Sequence, residues 1–487
     1  MLKFTGATAG AVAIGTTLAA PQATAAGASL VHPGMLHTRT DLDRMAKKVR
    51  AGAAPYTAGF ARLTANSHAQ SGWTANPQAV VYRGSGSPQN YRTLYNDIHA
   101  AYQNALRWHV TGESAYGDTA VAILNAWSAT LTSLQGSADR FLAAGLYGYQ
   151  FANAAELVRD HADFDLARFQ KMMLDVFHPL SEDFLANHNG AVISNYWANW
   201  DLTAIACVLA VGILCDDRAK IDRAVEYFKN GAGMGSVRNA VPVVYDDQGL
   251  ELGEWIEAGR DQGHALLGVG LMGTVCEMAW NQGIDLYGYD DSRFLKGAQY
   301  VAKWSMGGEV PYTANTRKKG AINGWSGSET ASAAAAVDPA MTRPIWAMIA
   351  NHYTKRRGLS ATYLTRIAAQ ASPEGGGGDY GPNSGGYDQL GFGTLAFSRE
   401  KGSGSGVSPG PDATSDAPAD SAPDVTPGVS SEASPAAGAR PVGGATPQGG
   451  KGDDLAATGT TDVVAWTAAT GVTALAGGLL LLRRRGR

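Results

Sequence analysis

Three features of the sequence predict an all-α domain built from antiparallel helical hairpins. Apolar residues recur at helical spacing, glycines separate the periodic segments, and strand-like alternation is nearly absent. The first segment starts at Arg92 and places Leu94, Ile98 and Tyr102 on one face of a helix, which ends at Gly112. Residues 241–245 are the best candidate for a strand. The pattern is therefore typical of a helical protein with little sheet.

Further helices follow with the same periodicity, and several are apolar on more than one side. They are predicted over residues 116–134, 142–159, 166–177, 198–214, 221–228, 262–281, 293–304, 341–353 and 361–370. Helices of this length with short connections favour hairpins, and all-round apolar character is expected of inner helices in a two-layer ring. A superhelical repeat protein is the alternative, but the sequence has no fixed period.

The N-terminus is typical of a secretory signal peptide. Lys3 precedes an apolar run over residues 4–20, and Ala23 and Ala25 form an A-x-A pattern that predicts cleavage near residue 25. Residues 402–454 consist largely of Gly, Ser, Pro, Ala, Thr and Asp and contain few large apolar side chains. Such a segment cannot bury enough surface to offset its ordering entropy, so we expect a disordered spacer.

The C-terminus resembles a sortase signal of the LPxTG type, with Ala456 at the usual proline position. The resemblance implies cleavage between Thr458 and Gly459, with sortase and peptidoglycan as partners. An apolar stretch over residues 463–482 is long enough for a transmembrane helix that inserts transiently, and the arginines after it should stay cytoplasmic. A plain membrane anchor is the alternative. In both cases the domain is predicted to be secreted and held at the outer cell surface.

Residues 26–401 contain no linker-like break, which favours one large domain after the signal peptide of residues 1–25. The 39 basic and 43 acidic residues give a net charge of −4, too near neutral to indicate a nucleic-acid partner. Cys207 and Cys215 lie about 12 Å apart on one predicted helix, too far to form a disulfide. Together with Cys276 they are expected to be buried thiols, and no Cys/His spacing suggests zinc.

Polar and aromatic residues concentrate in three otherwise apolar segments, over residues 145–156, 195–201 and 254–264. Arg260 and His264 are four residues apart and share a helix face, as do Asn195 and Asn199. A cation, an imidazole and carboxamides in one cleft would suit an anionic substrate. Each residue alone is most simply explained by packing or a local hydrogen bond, but three such segments together indicate a site.

Five motifs in these and neighbouring segments resemble the alginate lyase family of polysaccharide lyases, over a stretch from Tyr91 to about Gly358. The motifs occupy residues 105–108, 148–156, 199–200, 259–264 and 279–288. The resemblance implies an α/α toroid, an incomplete barrel of helical hairpins. It also implies β-elimination on an anionic polysaccharide.

The chain departs from the family's best-known branch at two positions. That branch has Asn-His-Ser-Tyr-Trp where this chain has Ile193 to Trp197, and it has a catalytic tyrosine where this chain has His264. The departure suggests the branch in which an asparagine neutralises the substrate carboxylate and a His/Tyr pair moves protons. Alginate and glucuronan are both expected substrates of that branch.

The chemistry of such a lyase assigns roles to these residues. Donors must screen the uronate carboxylate, a base must remove the adjacent proton, and an acid must protonate the leaving oxygen. The predicted catalytic residues are Asn199, Arg260, His264 as the base and Tyr312 as the acid, with Tyr149, Tyr196 and Tyr353 as alternative acids. The predicted substrate-binding residues are Gln150, Tyr149, Trp197, Trp200, Gln262 and Arg343. No metal or other cofactor is predicted.

Two other functions fit parts of the pattern. A glycoside hydrolase needs two carboxylates about 5–10 Å apart, and Glu254 and Glu257 share a helix face. A wall-anchored protein that only binds polysaccharide would fit the spacer and the sortase signal. Ultraviolet absorbance of the products separates a lyase, which leaves an unsaturated end, from both alternatives.

Overall fold

A computed structural model describes residues 29–84, 89–324, 326–380 and 386–402. The predicted signal peptide, nearly all of the spacer, the sortase signal with Thr458 and Gly459, and the apolar stretch of residues 463–482 lie outside these ranges. No helix within the ranges is long and apolar enough to cross a membrane.

The described chain is mainly helical, with three small two-stranded sheets. The helices are α1 (Arg39–Arg50), α2 (Tyr56–Ala65), α3 (Tyr91–Thr111), α4 (Ser114–Thr130), α5 (Asp139–Leu157), α6 (Leu166–Met172), α7 (His178–Asn187), α8 (Ala198–Leu214), α9 (Arg218–Asn230), α10 (Val237–Ala240), α11 (Gln262–Asn281), α12 (Tyr289–Ser305), α13 (Trp346–Asn351), α14 (Thr362–Ala371) and α15 (Gly393–Ala396). The strands are β1 (Val80–Arg83), β2 (Ser133–Gly136), β3 (Val244–Asp247), β4 (Leu250–Gly253), β5 (Asn315–Gly320) and β6 (Ser326–Ala331). Strands β1 and β2 pair in parallel, whereas β3–β4 and β5–β6 are antiparallel hairpins.

The helices form two layers around a ring. Inner helices contact one another in the order α3, α5, α8, α11, α13 and α15, and α1 lies between α15 and α3. Each of α3, α8, α11 and α13 also packs against the helix that follows it in the chain, which forms the outer layer. Helices α5, α8 and α11 are almost entirely buried, whereas α4, α9 and α12 each expose one face. The predicted two-layer arrangement is therefore present, and the two ends of the described chain meet between α13 and α3.

Close approach of two inner helices depends on glycine. Gly145 and Gly148 of α5 face Thr203 and Cys207 of α8, and a Cβ atom at either glycine would overlap those side chains. The glycines thus let the two helix axes approach closely, and this contact fixes the start of α8 relative to α5.

The segment before α1 crosses one end of the ring. The Leu36 amide donates to Asn153 Oδ1 at 3.0 Å, and Asn281 donates to the Met35 carbonyl at 2.6 Å. Asn153 and Asn281 lie near the C-terminal ends of α5 and α11, so these inner helices point the same way. The opposite end of the ring is where they begin.

Buried ion pairs join the two chain ends to the ring. The carboxylate of Asp41 in α1 forms ion pairs with Arg44 at 2.5 Å and with Arg399 at 2.8 Å. The carboxylate of Glu277 in α11 forms an ion pair with Arg356 at 2.8 Å. Burial alone would favour neutral Asp41, but the two guanidinium groups hold the pKa of its carboxyl well below the usual value.

The helix boundaries agree best with the prediction for the inner helices. Helices α8 and α11 begin and end at the predicted residues. The segment after Thr130 turns into β2 instead of extending α4 to residue 134, and α13 begins at Trp346 rather than at residue 341. The predicted strand over 241–245 is shifted to β3, and the hairpin β5–β6 was not predicted. The three cysteines are free, as expected, although Cys215 is only partly buried.

Replacement of Asp41 by Asn should destabilise the fold strongly. It removes the carboxylate that Arg44 and Arg399 share and leaves the buried Arg399 only the longer contact with Glu277, so we expect a loss of about 3–5 kcal/mol in the free energy of unfolding at pH 7. The native pKa of Asp41 is depressed, so its contribution exists above the unfolded pKa and is lost as the pH falls. The difference in free energy of unfolding between the variant and the wild type should therefore become smaller below about pH 4.

Urea unfolding followed by tryptophan fluorescence measures this difference. The matched control is Asp175→Asn, which breaks an exposed pair with Lys171 and should cost about 0–1 kcal/mol. Equal effects of the two substitutions would contradict a closing role for the buried pair.

Candidate active site

The beginnings of α8 and α11 bring two of the predicted polar segments together. Trp197 precedes the first residue of α8, and Asp261 caps α11 by accepting a hydrogen bond from the His264 amide at 2.8 Å. Helix N-termini carry partial positive charge, so this end of the ring favours an anion.

Arg260 is the centre of the group. Its guanidinium donates to Glu257 Oε1 at 3.0 Å, to Asn199 Oδ1 at 3.5 Å and to His264 Nε2 at 3.2 Å. It also lies over the ring of Trp197, with 5.5 Å from Cζ to the ring centroid. One side chain therefore connects the predicted neutralising asparagine with the predicted base.

His264 is held from both sides of its ring. Its Nδ1 lies 2.7 Å from Asp261 Oδ2, and its Nε2 faces Arg260. A guanidinium has no acceptor, so Nε2 carries the lone pair and Nδ1 carries the proton that is donated to Asp261. Burial lowers the pKa of His264 below its usual value, Asp261 opposes this shift, and Arg260 adds to it. A neutral imidazole with a lone pair on Nε2 can accept a proton at neutral pH.

Glu257 is fully buried beneath Arg260. Burial raises the pKa of its carboxyl to about 7, although the adjacent Arg260 acts in the opposite direction. Glu254, the second carboxylate of the hydrolase alternative, is also buried and accepts hydrogen bonds from Tyr245 and from the Thr313 amide. Both carboxylates are thus engaged inside the fold and do not form a pair open to a glycosidic bond.

A cleft with about 370 Å³ of empty space lies beside this group. Trp197, Gly259 and Tyr312 line it together with residues of the hairpin β5–β6. Arg317 of β5 stacks on Trp197 at 4.2 Å and donates to the Asn195 carbonyl at 2.5 Å, which fixes the hairpin over the loop before α8. The hairpin therefore forms one wall of the cleft.

Tyr312 is the one predicted tyrosine that lines this cleft. Its hydroxyl lies over Gly259, where a Cβ atom would overlap it, and it has no hydrogen-bond partner among the described residues. Burial raises the pKa of Tyr312, and the nearby Glu254 adds to the shift, so the phenol stays protonated at neutral pH. The hydroxyls of the other three candidates have partners within the fold, namely the Asp388 carbonyl for Tyr149, Asn189 for Tyr196 and the Tyr287 carbonyl for Tyr353.

Three predicted substrate-binding residues form a second polar group in the interior of the ring. Tyr149 and Gln150 donate to the carbonyls of Asp388 and Tyr387, at 2.8 and 3.0 Å, and Arg343 pairs with the Asp388 carboxylate at 3.3 Å. The C-terminal part of the domain therefore occupies these side chains. Arg343 remains close enough to contribute to the lowered pKa of His264, so the two groups are neighbours.

Two other predicted substrate-binding residues, Gln262 and Trp200, are held by contacts within the fold. The Gln262 side chain exchanges two hydrogen bonds with the backbone of Asp338. Trp200 is buried and stacks on Phe184 beside Tyr196. Neither side chain borders the cleft.

Sequence reasoning missed Arg317 and gave Asp261 no role beside His264. Arg317 lies on a polar strand whose position depends on contacts with a distant loop, so no local pattern indicated it. Asp261 was visible as a residue three positions before His264, the spacing of a helix N-cap. Among the described residues, no group of three His, Cys, Asp or Glu side chains is arranged to hold a metal ion.

Comparison with known proteins gives one match to a protein-family model and several to solved structures. Residues 44–310 match the model described as alginate lyase, which is more than half of the chain. An apo form of a variant of alginate lyase A1-III is 14% identical, with 74% of this chain and 95% of that chain covered at a TM-score of 0.46. The A1-III enzyme from Sphingomonas species A1 is 15% identical, over 56% and 79% of the chains, at a TM-score of 0.38. An alginate lyase from Bacteroides ovatus is 13% identical, over 57% and 83%, at a TM-score of 0.39. No curated protein sequence matches the chain.

The raised pKa of Glu257 predicts a pH-dependent stability difference from Glu257→Gln. The folded protein holds a proton on Glu257 up to about pH 7, whereas the unfolded chain loses it near 4.3, so ionisation weakens the native state in between. The free energy of unfolding of the wild type should therefore fall relative to the variant by roughly 2 kcal/mol between pH 5 and 8.

Urea unfolding at both pH values measures this change. Gln262→Ala is the control, because it removes the bonds to Asp338 without removing a titrating group, and its effect should be the same at both values. A pH-independent difference for Glu257→Gln would mean that Arg260 outweighs burial and keeps Glu257 ionised.

Proposed function

The chain belongs to the alginate lyase family and is a polysaccharide lyase, and we propose that it cleaves alginate with Asn199, Arg260, His264 and Tyr312 as its catalytic residues. The observation that carries this assignment is the hydrogen-bonded group of Asn199, Arg260 and His264 beside the cleft. Two of the predicted segments contribute to that group, and Asn199 and Arg260 are 61 residues apart in sequence.

The first requirement of β-elimination is a screened carboxylate. The proton beside a uronate carboxylate becomes acidic only when donors stabilise the enolate-like intermediate. Arg260 supplies a guanidinium at the beginnings of two long helices, and the Asn199 carboxamide lies within reach of the same position. These donors are largely buried, so they act in a low-dielectric environment where their effect on a developing charge is greatest.

The elimination itself needs a base and an acid. The Nε2 atom of His264 takes the proton from C5, the electron pair of that C–H bond becomes the C4–C5 double bond, and the C4–O bond breaks. The phenol of Tyr312 gives its proton to the leaving oxygen. The two pKa shifts support this division of roles, since His264 is neutral and Tyr312 protonated at neutral pH.

Glucuronan is the second candidate polymer. His264 occupies the position at which the best-known branch of the family carries a tyrosine, and Ser194 and Asn195 stand where that branch carries His and Ser. A site with a different base can accept a different uronate, so both polymers belong in the first assay.

Ultraviolet absorbance of reaction mixtures tests the proposed activity with the purified full-length chain. We expect absorbance from the unsaturated product end to rise with alginate, and glucuronan and glycosaminoglycans complete the panel. His264→Ala and Asn199→Ala should each reduce kcat/KM by at least about 100-fold, the usual effect of losing a general base or a transition-state donor. Tyr312→Phe should reduce kcat by a similar factor.

Trp200→Phe is the matched control, because Trp200 packs in the same helix turn but does not border the cleft. It should retain most of the activity. A folded wild type without absorbance change on any polymer would overturn the proposal, and full activity in His264→Ala would exclude His264 as the base.

We also propose that the enzyme is secreted and displayed on a Gram-positive cell wall through Thr458. The sequence over residues 455–487 supports this, because a sortase-like pentapeptide precedes an apolar stretch and a basic tail. The spacer over residues 402–454 would keep the catalytic domain clear of the wall.

Fractionation of the native cells tests this display. In the wild type we expect the enzyme in the muramidase-released wall fraction, with a peptidoglycan fragment on Thr458 detected by mass spectrometry. Thr458→Ala should shift it to the membrane fraction. An unmodified C-terminus that ends at Arg487 would support a plain membrane anchor instead.

A further inference from the structure

The two contacts of the His264 ring raise a problem for its proposed role. A general base must present a free lone pair to the substrate, but the Nε2 atom of His264 faces the Arg260 guanidinium at 3.2 Å. The Nδ1 atom is bonded to Asp261 at 2.7 Å, so it is not available either. In the free protein the base is therefore covered.

Arg260 is also the cation that would bind the substrate carboxylate. Its Nη2 atom faces His264, and its Nη1 atom faces Glu257 at 3.0 Å and Asn199 at 3.5 Å. A uronate carboxylate that enters from the Trp197 side competes for these donors, since a charge-assisted bond to a carboxylate is stronger than a bond to a neutral imidazole. Movement of the guanidinium toward the carboxylate breaks its contact with Nε2.

The inference rests on the proposed function: we propose that Arg260 masks the Nε2 atom of His264 in the free enzyme and releases it when a uronate carboxylate binds. Asp261 is then a positioning residue that keeps His264 in the tautomer able to accept the proton. Arg260 is then both the group that responds to the substrate carboxylate and the cation that stabilises it during the reaction. A neutral sugar cannot expose the base, because it cannot draw Arg260 away.

Asp261 has two contacts that serve this purpose. Oδ1 accepts from the His264 amide and Oδ2 accepts from Nδ1, so the carboxylate fixes both the backbone and the ring of the same residue. An N-cap alone needs only the first contact. Asp165 and Asp217 make the same pair of contacts with Arg168 and Lys220, but their second partner is a partly exposed cation. At Asp261 the second partner is an imidazole, so only there does the contact select a tautomer.

The charged groups around His264 determine whether its pKa rises or falls when a uronate binds. Asp261 raises the pKa of His264, whereas burial, Arg260 and Arg343 lower it, and Glu257 acts on Arg260 from below. Withdrawal of Arg260 toward an incoming carboxylate removes a lowering contribution and adds a negative charge nearby. The pKa of His264 should therefore rise when a uronate binds.

The test is an NMR titration of the full-length chain labelled at histidine, with His264→Gln used to assign the signal. In the presence of D-mannuronate, an uncleavable monosaccharide, the pKa of His264 should rise by about one unit, and D-mannose should leave it unchanged. In Arg260→Gln the pKa should already be raised without ligand, and mannuronate should then raise it less. In Asp261→Asn, which retains a helix cap, the pKa should fall, whereas Asp165→Asn should match the wild type.

Each outcome bears on a distinct claim. Binding of mannuronate, followed by saturation transfer, without a change at His264 would overturn the masking even if alginate is cleaved. An unchanged His264 pKa in Asp261→Asn would overturn the positioning role. If alginate is not cleaved but the pKa of His264 shifts as expected, the masking by Arg260 is supported and the proposed reaction is wrong. If mannuronate neither binds nor inhibits cleavage, Arg260 neither masks His264 in the way proposed nor binds the substrate carboxylate.

Discussion

The buried ion pairs around Asp41 and Glu277 are the constraint on which the ring depends. Asp41 lies at the start of the described chain and Arg399 at its end, and Arg399 also approaches Glu277 at 3.6 Å. Arg356, in the π-helical segment that follows α13, completes the connection. Burial makes each of these charges costly alone, so the four segments that carry them are stable only when they are together. Closure of the ring therefore follows from matching charges as well as from apolar packing.

Closure at that place covers one end of the ring, and the proposed site lies at the other end. The segment before α1 covers the C-terminal ends of α5 and α11 through Asn153 and Asn281. Helix α11 begins at the opposite end, where Asn199, Arg260 and His264 lie together. On the proposed function, a polyanion would be met by helix N-termini, by Arg260 and by the basic strand β5, while the end of the ring with negative helix poles is covered.

The sequence predicted the parts of the structure that rest on local patterns. Helices α8 and α11 follow a long apolar periodicity, and Arg260 and His264 are one helical turn apart, so their proximity required no tertiary information. The hairpin β5–β6 is short, polar and exposed, and it is held by contacts of Arg317 and Gly320 with Asn195. Likewise the partners of Tyr149 and Gln150 lie more than 230 residues away in sequence. Such long-range pairings leave no local signal, which is why these side chains were predicted to bind substrate.

On the proposed function, the charge balance around His264 favours proton transfer after, rather than before, substrate binding. In the free protein Arg260 faces Glu257 directly and Asp261 at 3.6 Å, while His264 is neutral. A uronate brings a further carboxylate to the same guanidinium, so negative charge around the imidazole increases and its affinity for a proton rises. Burial of Glu257 contributes to this balance, because a carboxyl with a pKa of about 7 can itself take up a proton when the added charge arrives. On the proposed mechanism, Glu257 and His264 would both gain affinity for a proton, and His264 would become a stronger base only in the complex with substrate.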